Sequence, residues 1–110
     1  MEQRVRILSL LGIAPGDAAE SDEIDPTADS IGALDAIGFT LPGIPIPVVV
    51  YHFSDQESAF EAKATLASSQ PVFHRATVNG TLLLWAHNDT EDRDITREIM
   101  RLGSRFAGEE

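Results

Sequence analysis

Three histidines, His52, His74 and His87, are the side chains of this sequence best suited to metal chemistry. Strand alternation in a predicted hairpin over residues 72–87 places His74 and His87 on one face of a sheet, and His52 could join them if its strand pairs in the right register. Three imidazoles leave a fourth position open on zinc, as catalytic zinc sites do. A simpler interpretation is that two histidines end strands and His74 stacks on Trp85. We therefore predict that Trp85 packs against His74, and that the chain has no metal site and no cofactor.

Other catalytic signatures are absent from the sequence. The chain contains no cysteine, so thiol catalysis and disulfides are excluded. No G-x-S-x-G turn surrounds a serine, and no glycine-rich phosphate loop is present. The acidic residues of segment 17–29 do not have the spacing of a calcium loop. We therefore predict no catalytic residue and no enzyme activity.

Charge is organised in the last predicted helix, where an arginine recurs at every fourth position: Arg93, Arg97, Arg101 and Arg105. At about 100° per residue the first three form one row on the helix, and Arg105 joins it only if the helix continues past Gly103. The arginines could simply complement the helix dipole and pair locally with Asp94 and Glu98. Alternatively, the row docks an acidic segment such as residues 17–29, within the chain or between copies.

Composition limits the kinds of partner. The chain has 110 residues and a net charge of −10, which is typical of one globular domain and disfavours nucleic-acid binding through phosphates. No apolar stretch approaches the roughly 18 residues of a membrane span. The acidic surface could be solvated only, or it could meet a basic partner.

The first half of the chain is predicted to form two helices and an extended arm. Residues 2–11 carry an apolar stripe that ends at Gly12, and a second helix is predicted from Asp25 to Gly38, with Pro26 at its first position. Residues 39–47 contain a Pro-Gly turn and two further prolines, which predict an edge strand or a rigid arm.

The second half predicts a β-α-β-β-α unit. Val48–Phe53 is a buried strand, and Ser54 with Glu57 forms a capping box that opens a helix through about Ser68. The buried side of that helix is predicted to contain these residues: Ala59, Phe60, Ala64 and Ala67. Asn79-Gly80 predicts a two-residue hairpin turn between the strands at 72–78 and 81–87.

This turn would place His74 opposite Trp85 and Ala76 opposite Leu83. The final helix begins near Asp89–Asp92 and buries a stripe of three residues: Ile95, Ile99 and Leu102.

These elements predict an α+β fold in which two N-terminal helices precede the β-α-β-β-α unit, a ferredoxin-like half. The three strands form a mainly antiparallel sheet in the order one-three-two, with strand one parallel to strand two and helices packed against the sheet. We expect one domain over residues 1–110, with an N-terminal arm at 1–47 and a core at 48–108.

Three stretches of the core resemble a recurring pattern in a known group of proteins. They are Pro71-Val72-Phe73-His74-Arg75, Gly80-Thr81-Leu82-Leu83-Leu84-Trp85 and Leu102-Gly103-Ser104-Arg105-Phe106-Ala107-Gly108. Over residues 48–108 the chain is similar to uncharacterised bacterial extracytoplasmic lipoproteins. Tyrosine is usual there at the position of His74, and the lipid-attachment cysteine of those proteins is missing here. The resemblance implies an exported domain with no assigned catalysis.

These features predict a non-enzymatic extracytoplasmic module that binds a protein partner or a second copy. The alternative function is an acidic inhibitor or decoy that caps a basic site on a partner. The open sheet face, with Val72, Leu83 and Trp85, is the predicted binding surface. The full set of candidate binding residues is His74, Leu83, Trp85, His87, Arg93, Arg97 and Arg101.

Overall fold

A computed structural model describes residues 3–11, 13, 16, 19–21, 24, 27–41, 44–69, 75–86 and 92–107. The helices are α1 (Gln3–Leu11), α2 (Gln56–Ser69) and α3 (Arg93–Ala107). The strands are β1 (Ala19–Ser21), β2 (Asp35–Leu41), β3 (Ile44–His52), β4 (Arg75–Asn79) and β5 (Leu82–Ala86). The fold is therefore α+β, as predicted, with more strands than the sequence analysis assigned.

The five strands form one antiparallel sheet in the order β1-β2-β3-β5-β4. The order predicted for the second half, with β5 between β3 and β4, is confirmed within this sheet. Because β5 is antiparallel to both neighbours, β3 and β4 run in the same direction and α2 makes the crossover between them. The edges of the sheet are β1 and β4, and β1 has only three residues.

The predicted helix at Asp25–Gly38 is wrong. The structure has a single 3-10 turn at Asp29–Ile31, which ends at Gly32 with φ 77°, followed by β2. β2 pairs with both β1 and β3, and its large apolar side chains in the core alternate with period two at Ile37, Phe39 and Leu41. Burial in the sheet thus outweighs the helix-like spacing of the isoleucines in this segment.

The extended arm at 39–47 belongs to β2 and β3. Leu41 pairs with Ile44, so Pro42-Gly43 separates two antiparallel strands. Pairing of β3 with β5 begins only at Val48. Pro45 and Pro47 precede Val48, so their missing amide donors cost the β3–β5 ladder no hydrogen bond.

The β4–β5 hairpin is present, but its register differs from the prediction. Asn79 pairs with Leu82, and Trp85 lies opposite Ala76 instead of His74. The turn residues are Gly80 and Thr81, with φ 61° at Gly80 and no positive φ at any described non-glycine residue. This geometry is that of a type II′ turn, which needs glycine only at its first central position. Asn79 therefore remains in β4.

The two helices that follow strands begin at aspartates. At α2, the carboxylate of Asp55 accepts the Ser58 backbone N–H at 2.7 Å, so Asp55 replaces the predicted cap at Ser54. These bonds from the Ser58 backbone and hydroxyl lower the pKa of Asp55. At α3, the Asp92 carboxylate accepts the backbone N–H groups of Asp94 at 2.8 Å and Ile95 at 3.3 Å. Each carboxylate satisfies donors of a first helical turn.

The sheet separates two apolar cores. On one face, α1 and α3 cover alternate residues of β2, β3 and β5, with Phe39, Ile99 and Phe106 fully or almost fully buried. On the other face, α2 and the segment around Ala33 cover Tyr51 and Trp85. The chain thus forms three layers, and both helical layers flank β4 at the sheet edge.

The buried stripe of α3 is confirmed, but its predicted end at Gly103 is wrong. Ile99 and Leu102 are buried and Ile95 is partly buried, as expected. The helix continues to Ala107 because Phe106 anchors the next turn in the core. At Gly103, α3 lies close to β4: a Cβ there would be 3.0 Å from Thr77 Oγ1.

The predicted inner face of α2 is only partly correct. Ala59 is buried, whereas Phe60 is 49% exposed and Ala64 is exposed. Ala62 and Leu66 complete the buried face in their place. Ala67 lies among residues whose side chains are outside the description.

Candidate functional site

The sheet face predicted as a binding surface is not accessible. Leu83 is 0% and Trp85 is 1% exposed, because α2 packs over both. Their side chains are core residues, and Val72 lies outside the described residues. The prediction left this face open because the sequence does not indicate which face of the sheet α2 covers; α2 packs on the face of Leu83 and Trp85.

Of the three histidines, His52 lies among the described residues. His52 ends β3 opposite Asp35 and Leu82, and strand alternation places it on the same face as Val50, away from the face of Trp85. His74 and His87 lie outside the described residues. The predicted pairing of His74 with Trp85 is wrong, since Ala76 occupies the position opposite Trp85.

The arginine row is the predicted feature that the structure leaves exposed. α3 spans all four arginines, so Arg105 is in the same helix as the other three. Arg97 pairs with Asp94 at 3.7 Å and Arg101 with Glu98 at 3.3 Å, each within one turn of helix. Both arginine side chains remain more than half exposed.

The electrostatics of α3 differ from those of the whole chain. Four arginines and two acidic residues give the helix a net charge of +2 in a chain of net charge −10. Exposed pairs such as Arg97–Asp94 are typically worth less than about 1 kcal/mol each. The guanidinium groups can therefore exchange these partners for an external carboxylate at little cost.

Part of the acidic segment 17–29 can be located relative to this row. β1 lies at the sheet edge opposite β4, on which α3 packs. Asp29 begins the turn that leads to Ile31, which packs with the α2 core on the face opposite α3. These described parts of the segment are therefore placed away from the arginine row of the same chain.

A groove runs along the edge strand β4 between the two helical layers. Its volume is about 280 Å³, and it is lined by Lys63 from α2, Thr77 from β4, and Ile99, Met100, Gly103, Ser104 and Ala107 from α3. Met100 is 52% exposed, and Phe60, one turn before Lys63 on α2, is 49% exposed. This groove has no local signal in the sequence, because it arises only where α2 and α3 meet β4.

The α2 side of the molecule is acidic. Asp29, Asp55, Glu57 and Glu61 are all exposed there. A second cleft, of about 300 Å³, lies between the 3-10 turn and α2, and is lined by Ser30, Ile31, Gly32, Ser58, Glu61, Ala62 and Thr65. Hydroxyls and one carboxylate are suitable partners for a basic side chain.

Comparisons with known proteins give no family for this chain: no family model, no curated protein and no solved structure matches it. None of the helices in the described ranges has the length and apolar character needed to cross a membrane. Within those same ranges, no three histidine, aspartate or glutamate side chains are grouped so that they could hold a metal ion.

Proposed function

We propose that this chain is a non-enzymatic protein-interaction module that binds an acidic segment of a partner through the arginine row of α3. One observation carries the proposal: a helix of net charge +2 presents exposed guanidinium groups on the surface of a chain of net charge −10. Guanidinium groups bind carboxylates with two parallel hydrogen bonds, so an arginine row suits aspartate and glutamate side chains.

The fold supports this role because it holds the row in place. Ile99, Leu102 and Phe106 anchor one face of α3 in the core, which fixes the opposite face towards solvent. Because the arginines recur at every fourth residue, about one turn of helix, successive guanidinium groups are spaced roughly 6 Å apart along the helix axis. An extended or helical acidic segment can therefore contact several of them at once.

The test uses a fluorescein-labelled oligoglutamate peptide as the probe. We expect binding to weaken as ionic strength rises, because the Debye length falls below about 10 Å above 0.1 M salt. Arg97→Glu combined with Arg101→Glu should weaken binding at least about ten-fold. The control variant combines Lys63→Glu with Thr65→Glu on α2; it lowers the net charge by 3 (two units at Lys63 and one at Thr65), against 4 for the double arginine variant.

Capture of partners from cells extends the test to natural ligands. Proteins that bind the row should be retained by the unaltered chain and by the α2 control variant, and lost with the double arginine variant. Equal loss with both variants would mean that net charge governs binding, and no loss with either would exclude the row as the binding surface.

An acidic inhibitor that caps a basic site on a partner is the second candidate function. Its supporting observation is the acidic α2 side, where Glu61 lines a hydroxyl-rich cleft that suits a lysine or arginine side chain. Glu57→Lys with Glu61→Lys should then abolish capture of basic proteins, whereas the arginine-row variant should leave that capture intact. The opposite pattern favours the first function. An extracytoplasmic location remains a proposal that rests on the resemblance over residues 48–108.

A further inference from the structure

The outward edge of β4 has the geometry for pairing with another strand. Gly80 and Thr81 form a two-residue turn, so Asn79 and Leu82 are the hydrogen-bonded pair that closes it. Hydrogen-bonded pairs then alternate along the ladder, and Ala76 and Val78 direct their backbone N–H and C=O groups away from β5. These groups face the edge of the sheet.

Of the usual devices that block pairing at sheet edges, β4 has a single one, the charged Arg75 at its first position. Its sequence, Arg-Ala-Thr-Val-Asn, contains no proline and no lysine, and its register with β5 runs without a bulge. Natural proteins usually protect a strand edge with one of these features. At the other edge of the sheet, β1 is protected by its length of three residues.

We propose that the protein forms a homodimer in which β4 strands of two copies pair antiparallel around a two-fold axis at Thr77. This inference is independent of the partner proposed above and concerns a different surface. In this register Ala76 of each copy lies opposite Val78 of the other. Those are the residues whose backbone groups face outward, so each of the two pairs exchanges both of its hydrogen bonds.

The side chains also match across this axis. Thr77 lies opposite its own symmetry mate, and Thr–Thr pairs are favourable across antiparallel strands. Because directly opposed residues share a face, the apolar Ala76 and Val78 meet on the α2 side. A closed two-fold contact of this kind uses the same patch on both copies and leaves no β4 edge open.

The surroundings of β4 supply the area that a dimer requires. Met100 of α3 is 52% exposed and lies in the groove with Thr77, and Phe60, one turn before the groove residue Lys63 on α2, is 49% exposed. The molecule measures 31 × 31 × 28 Å, so a contact over most of the β4 side would bury about 700 Å² per copy, close to a standard stable interface. Dimerisation would thereby bury these exposed apolar side chains.

Self-association is measured by sedimentation equilibrium of the full chain up to about 1 mM. We expect a monomer–dimer equilibrium that strengthens with salt, because two copies of net charge −10 repel each other. Met100→Glu should weaken the dimer at least about ten-fold. Leu34→Glu is the matched control, since it adds the same charge at a residue that is 66% exposed and lies far from β4 in the strand order.

A cysteine cross-link tests the register directly, because the chain contains no cysteine of its own. At the axis, the two Thr77 Cα atoms would lie about 4.5 Å apart, within the range of a disulfide. Thr77→Cys should therefore give a covalent dimer under mild oxidation, whereas Ala76→Cys, displaced from the axis, should not. A monomer throughout the concentration range would overturn the proposal, as would a dimer that Met100→Glu leaves unchanged or that cross-links equally at both positions.

Discussion

Replacing Gly103 by alanine measures how closely α3 is packed on β4, the contact that positions both the arginine row and the groove. In a helix this substitution usually stabilises by about 0.5–1 kcal/mol. Here the new Cβ would lie 3.0 Å from Thr77 Oγ1, closer than ordinary van der Waals contact. Thr77 is β-branched, so its side chain rotates only at a cost, and overpacking typically costs about 1–3 kcal/mol. We expect Gly103→Ala to lower the free energy of unfolding by about 1 kcal/mol.

A double-mutant cycle isolates this contact. Urea unfolding followed by the fluorescence of the buried Trp85 gives the free energy of each variant. In a Thr77→Ala background the Oγ1 atom is gone, so Gly103→Ala should raise the free energy of unfolding by about 0.5–1 kcal/mol. The effect of Gly103→Ala on the free energy of unfolding should therefore differ by roughly 2 kcal/mol between the two backgrounds. Equal stabilisation in both backgrounds would show that α3 lies farther from β4 than the structure places it.

Three further substitutions test local features of the fold. The Ser58 backbone N–H and hydroxyl lower the pKa of Asp55. The ionised Asp55 therefore stabilises the fold fully above its unfolded pKa of about 3.9, and this stabilisation is lost as pH falls through the lower folded pKa. In urea titrations, the difference in free energy of unfolding between the native chain and Asp55→Asn should shrink on acidification. Asn79 Nδ2 donates to the Phe106 carbonyl at 2.7 Å, and Asn79→Ala should cost about 1 kcal/mol in the same assay, whereas no loss would mean that water replaces the bond. Gly80 has φ 61°, so Gly80→Ala should cost about 1 kcal/mol, and a neutral effect would contradict the type II′ turn.

The second half of the fold was predictable because its signals are local. A β-branched run, a helix with a polar cap and an Asn-Gly dipeptide that marks a hairpin lie in sequence order, and the crossover rule then places β5 between β3 and β4. The register was not predictable from the dipeptide alone. Type I′ and II′ turns use glycine at different positions, and the amide of Asn79 is held in β4 by its bond to Phe106.

In the first half, the helix predicted over residues 2–11 corresponds to α1 (Gln3–Leu11), whereas the helix predicted over Asp25–Gly38 was wrong because a helical and a strand-like spacing of apolar residues coexist in one segment. Ile31, Leu34 and Ile37 recur at helical spacing, while Ile37, Phe39 and Leu41 alternate with period two. Pairing with β3 decides between them, and that long-range contact has no local signature. Leu34 is 66% exposed, so its side chain belongs to neither a buried helical stripe nor the buried face of a strand.

The candidate surfaces depended on the same long-range packing. The row of Arg93, Arg97 and Arg101 could be predicted from helical spacing alone, whereas Arg105 joins it because α3 continues past the predicted end at Gly103. The predicted sheet-face site failed because α2 covers Leu83 and Trp85. The groove beside β4 could not be predicted, since it requires two helices on opposite faces to meet at one edge.

The two proposals reinforce each other through geometry. Two-fold pairing at β4 places α3 of one copy beside α3 of the other, with the helices antiparallel. Arginine rows on neighbouring helices then form one longer basic surface in an otherwise acidic dimer. An acidic partner long enough to reach both rows gains affinity because its second contact is intramolecular. The salt dependence separates the two steps, since screening strengthens association of the acidic copies and weakens binding of the acidic partner.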